Sequence, residues 1–105
     1  MLIEFDPTRG SEIQKTRPAV IVTNDIANTY SRLLMAVPLT SQKLGQIFPH
    51  EVLLGAVKGL RKPSKANVSQ MRAIDRSRIK AKFGKISAQN LREIEAAIKL
   101  HLGLA

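Results

Sequence analysis

Residues 18–23 read Pro18-Ala19-Val20-Ile21-Val22-Thr23, a continuous run rich in β-branched side chains. A second apolar run, Leu33-Leu34-Met35-Ala36-Val37, follows nine residues later. Runs of this kind are typical of strands whose two faces are both buried. We therefore predict that the two runs are neighbouring strands of one sheet.

Shorter patterns on either side predict further strands. Residues 2–5 are short and apolar, and a turn sequence with Asp6, Pro7 and Gly10 follows them. Further strands are predicted at residues 51–54, at residues 66–70 and around residues 84–86. Residues 24–30 carry capping residues for a short helical turn, and residues 74–79 are predicted to form a short helix. Many short strands in a small chain favour a barrel.

The C-terminal segment changes period and predicts the one long helix. Its apolar residues recur at spacings of three and four, with Ser87 placed to cap the start and Gly103 the end. These apolar positions are Leu91, Ile94, Ala97, Ile98 and Leu102. Residues 1–105 are therefore predicted to be a single domain of the mainly β or α+β class, a small, partly open barrel with a C-terminal helix packed on it.

Composition excludes several classes of protein. The 105 residues include no cysteine, which excludes disulfides, thiolate nucleophiles and thiolate metal sites. No apolar run approaches the roughly 18 residues that cross a bilayer, and no signal peptide is apparent. We expect a cytoplasmic protein with no membrane partner.

The positive charge is concentrated in one segment. The chain has 17 Lys and Arg against 8 Asp and Glu, a formal net charge of +9. Residues 58–85 contain ten of these basic residues and one acid, Asp75, so the rest of the chain is neutral overall. A localised basic excess is typical of a protein that binds nucleic acid. A solvated basic face, or a surface for an acidic protein, fits the charge alone as well.

Metal and cofactor chemistry have little support in the sequence. The two histidines, His50 and His101, are far apart in the chain, and no carboxylate cluster shows ligand spacing. Neither a nucleophile elbow nor a glycine-rich phosphate loop is present. We predict no metal and no cofactor.

Arginine and hydroxyl groups at strand ends are the remaining candidates. Arg17 precedes Pro18, whose ring favours an extended backbone at Arg17, and so its guanidinium leaves from a stiff position. Thr40 and Ser41 follow the next strand, where side chains emerge beside a loop. The twelve-residue connection 6–17 is longer than a usual hairpin loop, which is typical of functional loops. Taken singly, these residues also fit a surface charge, a turn and a tolerated loop.

Together these segments resemble the MazF and PemK (Kid-like) family of toxin endoribonucleases, in the family's order and over nearly the whole chain. The matching motifs are Phe5-Asp6-Pro7-Thr8-Arg9-Gly10-Ser11-Glu12, Thr16-Arg17-Pro18-Ala19-Val20-Ile21-Val22, Asn24-Asp25 with Asn28, Val37-Pro38-Leu39-Thr40-Ser41-Gln42, Gln70-Met71-Arg72-Ala73-Ile74-Asp75-Arg76-Ser77-Arg78 and Gly84-Lys85-Ile86.

The resemblance implies an SH3-like barrel of the CcdB/MazF/PemK toxin type and a homodimer. It implies a metal-independent, sequence-selective endoribonuclease that cleaves single-stranded mRNA, the toxin of a type II toxin-antitoxin system. It also implies a cognate antitoxin whose acidic tail occupies the RNA groove, and DNA binding by the toxin-antitoxin complex. By position, Arg17 and Thr40 would be catalytic, and the 6–17 loop would be a lid. The substrate-binding residues would be Ser11, Glu12, Ser41, Gln42, Gln70 and Arg72.

The sequence departs from the family pattern at two places. Fewer residues than usual precede the first motif, so the first strand is expected to be short. The position before Gln70, often an acidic proton acceptor in the family, is Ser69, and we hypothesise that Glu12 supplies the carboxylate instead. Two other functions stay open: an RNA- or antitoxin-binding module of the same fold without activity, and a gyrase-poison type of toxin.

Overall fold

The computed structural model describes residues 2–5, 17–22, 31–55, 57 and 59–104. These ranges contain seven strands followed by one long α-helix. The elements are β1 (Leu2–Phe5), β2 (Arg17–Ile21), β3 (Leu33–Thr40), β4 (Glu51–Gly55), β5 (Ser64–Asn67), β6 (Arg72–Asp75), β7 (Ile79–Gly84) and α1 (Ala88–His101).

The strands form one antiparallel sheet in the order β4-β5-β3-β2-β1-β7, with β6 paired to β3. Strands β2 and β3 are direct neighbours, with Val20 opposite Val37, which confirms the prediction for the two apolar runs. Among the described strands, β4 and β7 lie at the two ends and do not pair with each other. The predicted mainly β, partly open barrel with a C-terminal helix is therefore confirmed.

Strand β3 changes its pairing partner along its length. Its first half, up to Ala36, pairs with β6, and its last two residues pair with β5. Pro38 lies between these two stretches and is paired with neither β5 nor β6. Its missing N–H therefore removes no ladder hydrogen bond to these two strands. The chain that connects β5 to β6 passes this point, and brings Gln70 and Arg72 close to the end of β3.

The two faces of β2 and β3 each pack into a hydrophobic core. On one face, Val20 and Val37 lie in a cluster that includes Ile94 and Ala97 of α1. On the other face, Ala19 and Ile21 pack in a cluster with Ile3, Leu34, Ala36 and Ile74. The three consecutive residues Ala19, Val20 and Ile21 are all buried, as predicted for a strand covered on both sides.

Helix α1 begins and ends at the predicted residues. The Ser87 hydroxyl accepts a hydrogen bond of 3.0 Å from the Asn90 N–H. At the other end Gly103 has a φ of 72°, and the Leu104 N–H donates to the Lys99 carbonyl at 2.8 Å. This is a Schellman termination, for which glycine is favoured.

Three predictions for the segment 66–86 were wrong in detail. Strand β5 ends at Asn67, because its side chain accepts the Ser69 N–H and starts a 3₁₀ turn at Val68–Gln70. The predicted helix 74–79 is strand β6 followed by a single 3₁₀ turn, Arg76–Arg78, which Asp75 caps in the same way. The strand predicted around residues 84–86 is β7, which ends at Gly84. At the ends of β5 and β6, side-chain caps rather than hydrophobic periodicity set the boundaries.

Two predicted features, the turn at residues 24–30 and residues 6–16 of the predicted lid, lie outside the described residues. No helix in the described ranges is long and apolar enough to cross a membrane.

Candidate active site

A cleft of about 600 Å³ opens where β3 ends. Strand β1 contributes Glu4 to its wall, the start of β2 contributes Arg17, and the end of β3 contributes Thr40. The described residues that line it are Glu4, Arg17, Pro18, Pro38, Leu39, Thr40, Ser41, Gln42, Gly59, Leu60, Arg61, Lys62, Ser64, Gln70 and Arg72.

The cleft brings together six of the eight site residues predicted from the sequence. These six come from three separate segments of the chain: Arg17, Thr40, Ser41, Gln42, Gln70 and Arg72. The other two, Ser11 and Glu12, lie outside the described residues.

Arg17 is the first residue of β2 and lies opposite Phe5 of β1. It is exposed, and Pro18 beside it is half-buried against the cleft. The backbone at Arg17 is therefore fixed by the sheet while its guanidinium faces the cleft. This is the extended, stiff position that Pro18 predicted.

Thr40 is held by its own loop. The Gln42 N–H donates a hydrogen bond of 3.2 Å to the Thr40 hydroxyl oxygen. A hydroxyl has one proton to donate and two lone pairs to accept with. Because the Gln42 N–H uses one lone pair, the Thr40 proton remains available to a group in the cleft, such as a phosphate oxygen.

The sequence analysis missed three charged residues of the cleft wall. Glu4 is the one carboxylate among the described lining residues, and its Cα partners are Pro18 and Ala81 on the two flanking strands. Its position between Ile3, which is fully buried, and Phe5 was the available signal, because alternation turns Glu4 to the opposite face. Arg61 and Lys62 belong to the basic segment, but no sequence pattern separated them from its other members.

The basic segment is divided by the fold into different roles. Arg61, Lys62 and Arg72 line the cleft. Arg76 instead donates two hydrogen bonds to the Ser31 carbonyl, the shorter of 2.9 Å. Lys65 is buried. Among the described residues, the positive charge that faces the cleft therefore comes from these three residues and Arg17.

Lys65 forms a buried ion pair with Glu51 beneath the cleft wall. The Lys65 ammonium lies 3.0 Å from the Glu51 carboxylate, and the two side chains are 5% and 6% exposed. Burial by itself raises the pKa of Glu51. The hydrogen bond from the Phe48 N–H, the Lys65 ammonium and, to a smaller extent, His50 all lower this pKa, and together they outweigh the effect of burial. The net result is a pKa below the ordinary value of a glutamate.

The two histidines lie closer together than their sequence separation suggested. The rings of His50 and His101 are 6.4 Å apart between centroids, and the His50 ring stacks on Phe48. Within the part of the chain that the structure describes, no three His, Cys, Asp or Glu side chains gather into a group that could hold a metal ion.

Comparison with known proteins gives a consistent result. The chain is 42% identical over 108 residues to endoribonuclease MazF9 of Mycobacterium tuberculosis, a match that covers 97% of this chain and 91% of the relative. It is 33% identical to endoribonuclease MazF of Staphylococcus saprophyticus, with 98% and 87% covered. The fold resembles that of MazF in the MazE-MazF crystal structure (form III) from Deinococcus radiodurans, with a TM-score of 0.81, 26% identity, and coverage of 99% and 94%.

A family model described as the PemK-like, MazF-like toxin of type II toxin-antitoxin systems matches residues 1–102. The match spans every described strand and the whole of α1. The chain therefore belongs to the family of PemK-like, MazF-like toxins of type II toxin-antitoxin systems.

Proposed function

We propose that this protein is a toxin endoribonuclease that cuts single-stranded mRNA at selected sequences without a metal ion. The observation that carries this proposal is the cleft, which places Arg17 and Thr40 beside Arg61, Lys62 and Arg72. Two of the relatives reported above are themselves endoribonucleases. The cleft is open and basic, as a strand of negatively charged RNA requires.

In the proposed reaction, the ribose 2′-hydroxyl attacks the adjacent phosphorus. A carboxylate takes the 2′ proton, and the bond from phosphorus to the 5′ oxygen breaks. The departing 5′ oxygen takes up a proton from water in the open cleft. The products are a 2′,3′-cyclic phosphate and a 5′-hydroxyl, so no external nucleophile is consumed.

Arg17 and Thr40 supply complementary contacts to the phosphate. A guanidinium is always protonated near neutral pH and presents a planar fork of donors, so Arg17 suits the extra negative charge of the phosphorane. The Thr40 hydroxyl, already bonded by the Gln42 N–H, donates its proton to a second phosphate oxygen. Ser41, Gln42, Gln70 and Arg72 are proposed to position the flanking nucleotides.

The proton acceptor is proposed to be a glutamate, and the two candidates are Glu4 and Glu12. Ser69 has no carboxylate, Glu12 lies outside the described residues, and Glu4 lines the cleft on a strand that is paired on both sides. A strand that is paired on both sides fixes a catalytic group precisely. We therefore place Glu4 first and Glu12 second as the general base.

The Glu4→Gln variant is expected to lower kcat by about 10²-fold, the usual contribution of general-base catalysis, and to remove the acidic limb of the pH profile. Glu12→Gln is the matched comparison, with the same change of a carboxylate to an amide. The profile of kcat against pH decides between them. If Glu12→Gln rather than Glu4→Gln loses the acidic limb, the order of the two is reversed.

The same cleft also suits an acidic protein segment. We propose that a cognate antitoxin places an acidic tail in it and so competes with RNA, in a complex that binds DNA. We further propose a homodimer and a cytoplasmic site of action, where mRNA is found.

The experiment that tests the function is a cleavage assay on a long single-stranded RNA in excess chelator. Cut positions and end groups are mapped together. Discrete cuts with cyclic phosphate and 5′-hydroxyl ends support the proposal and reveal the recognition sequence. Salt-sensitive RNA binding without cleavage would instead favour an inactive binding module, and neither cleavage nor binding would favour a toxin with a protein target.

A further inference from the structure

Lys65 is an unusual lysine because its charged end is inside the protein. Its side chain is 5% exposed, and the ammonium contacts the Glu51 carboxylate at 3.0 Å. Lysines are seldom fully buried unless they are paired. The proposed reaction does not use this lysine, and its burial removes it from the basic surface offered to RNA.

The remaining donors of Lys65 bind the backbone of one loop. The ammonium donates to the Lys43 carbonyl at 3.1 Å and to the Gln46 carbonyl at 2.9 Å. A lysine has three donors, and Glu51 with these two carbonyls takes all of them. We refer to residues 41–50, which connect β3 to β4, as the 41–50 loop.

Glu51 binds the same loop from the other side of the ion pair. Its carboxylate accepts the Phe48 N–H at 3.0 Å. Between its two bonded carbonyls the loop makes a turn, with the Gln46 N–H donating to the Lys43 carbonyl at 3.2 Å. Lys43 has a φ of 54°, a left-handed conformation that a residue with a side chain adopts at a cost. The ion pair therefore fixes three backbone groups of a loop that contains a strained residue.

The start of this loop lines the cleft. It begins with Ser41 and Gln42, which line the cleft, and the Gln42 N–H bonds the Thr40 hydroxyl. Lys65 is itself the Cα partner of Thr40 across β3 and β5. The ammonium thus connects the strand beneath the site to the loop beside it.

We propose that the buried Lys65–Glu51 pair positions the 41–50 loop for sequence-selective RNA binding, so that Lys65 is a positioning residue for the substrate. This inference rests on the proposed endoribonuclease function. Loss of the two carbonyl contacts releases the turn at Lys43, and the wall formed by Ser41 and Gln42 then no longer holds one geometry. Selectivity falls first, because bases are recognised by closely placed polar groups.

The test compares Lys65→Met with Lys99→Met, which removes the same charge from an exposed lysine of α1. Two RNAs are used, the cut sequence and a version with one base changed. The selectivity ratio is kcat/KM for the cut sequence divided by kcat/KM for the changed one. We expect Lys65→Met to raise KM about 10-fold and to lower this ratio about 10-fold, with a smaller change in kcat. Small displacements of positioning groups have large effects of this kind. Lys99→Met is expected to leave both unchanged.

A second variant separates positioning from stability. Lys65→Met leaves the Glu51 charge buried and unpaired, which destabilises the fold. The double variant Lys65→Met with Glu51→Gln has no buried charge and retains an acceptor for the Phe48 N–H. It still lacks the ammonium that joins the carbonyls of Lys43 and Gln46 to β5. We expect its thermal stability to recover while KM and selectivity stay impaired.

Each outcome has a definite meaning. Recovery of KM and selectivity in the double variant, or native values in Lys65→Met, would overturn the positioning role while the endoribonuclease proposal stands. Absence of cleavage by the wild-type protein would refute the proposed function and this inference with it. Binding of an RNA with a 2′-deoxy residue at the cut site measures the same selectivity without cleavage, and must change in parallel if Lys65 acts through the substrate.

Discussion

Replacing Arg17 with alanine is expected to lower kcat/KM for RNA cleavage by about 10³-fold, the size of effect seen when a donor to a charged transition state is removed. The reason is that the proposed reaction uses the Arg17 guanidinium to stabilise the phosphorane, whereas Arg72 of the same cleft is assigned to the flanking nucleotides. Arg17 is exposed, so the melting temperature should change little. Initial rates on the mapped RNA and a thermal melt check the two parts.

Two further variants make the Arg17 result specific. Arg17→Lys keeps the charge but loses the bidentate geometry, and is expected to recover only part of the activity. Arg92→Ala removes an exposed arginine of α1, whose described bond is to Gln89 at 3.0 Å, and should cleave at the native rate. Native activity in Arg17→Ala would show that the phosphate is stabilised elsewhere in the cleft.

The largest effect on stability is expected at Glu51. The Glu51→Leu variant leaves the Lys65 ammonium buried without its counter-ion, which costs about 3–5 kcal/mol in the free energy of unfolding. Domains of this size are stable by only about 5–15 kcal/mol. A fall in melting temperature of roughly 15 °C is therefore expected, measured by circular dichroism or calorimetry.

The same carboxylate has a defined pH dependence. Its pKa in the folded chain is lower than that of an unfolded glutamate, about 4.3. The contribution of Glu51 is therefore fully present above that pH, and is lost as the pH falls through the folded value. The side chains that lower its pKa are Lys65, which is paired with it, and His50, which precedes it in the chain, and Glu93 of α1 lines the same cavity as Glu51.

Denaturant unfolding from pH 3 to pH 7 measures this contribution directly. The difference in free energy of unfolding between wild type and Glu51→Gln should begin to shrink as the pH falls below about 4.3, where the carboxylate of the unfolded chain becomes protonated. It should disappear once the pH is below the lowered pKa of the folded chain. A difference that is constant over the whole range would contradict the role of the ion pair.

Lys65→Met with Glu51→Leu, which removes both charges, should be more stable than Glu51→Leu alone.

Much of the fold was predictable because the strongest patterns coincide with the largest buried surfaces. The runs at residues 18–23 and 33–37 became β2 and β3, and the spacing from Leu91 to Leu102 became α1. The boundaries after β5 and β6 were not predictable, because single side chains, Asn67 and Asp75, set them by bonding their own backbone. Such local bonds leave no trace in hydrophobic periodicity.

The candidate site was predictable where motifs were present and hidden where tertiary structure alone creates it. Arg17 and Thr40 stand at strand ends that the sequence located. Lys65 is the opposite case, because a lysine in a basic segment indicates a surface charge. Its partner Glu51 is 14 residues away, and the carbonyls that it binds carry no residue signature. Only the sheet, which sets Lys65 opposite both Thr40 and Leu53, brings these groups together.

Strands β2 and β3 form the wall between two hydrophobic cores, and this arrangement determines how the chain opens. Neither core can lose its packing while the other remains, since Val20 supports one and Ala19 and Ile21 the other. Amides in these strands should therefore exchange with solvent only through opening of the entire sheet. A protease should therefore cut this region only in the globally unfolded chain. A ligand that occupies the cleft and binds only the folded form lowers the population of that unfolded chain, and so protects the whole sheet from proteolysis.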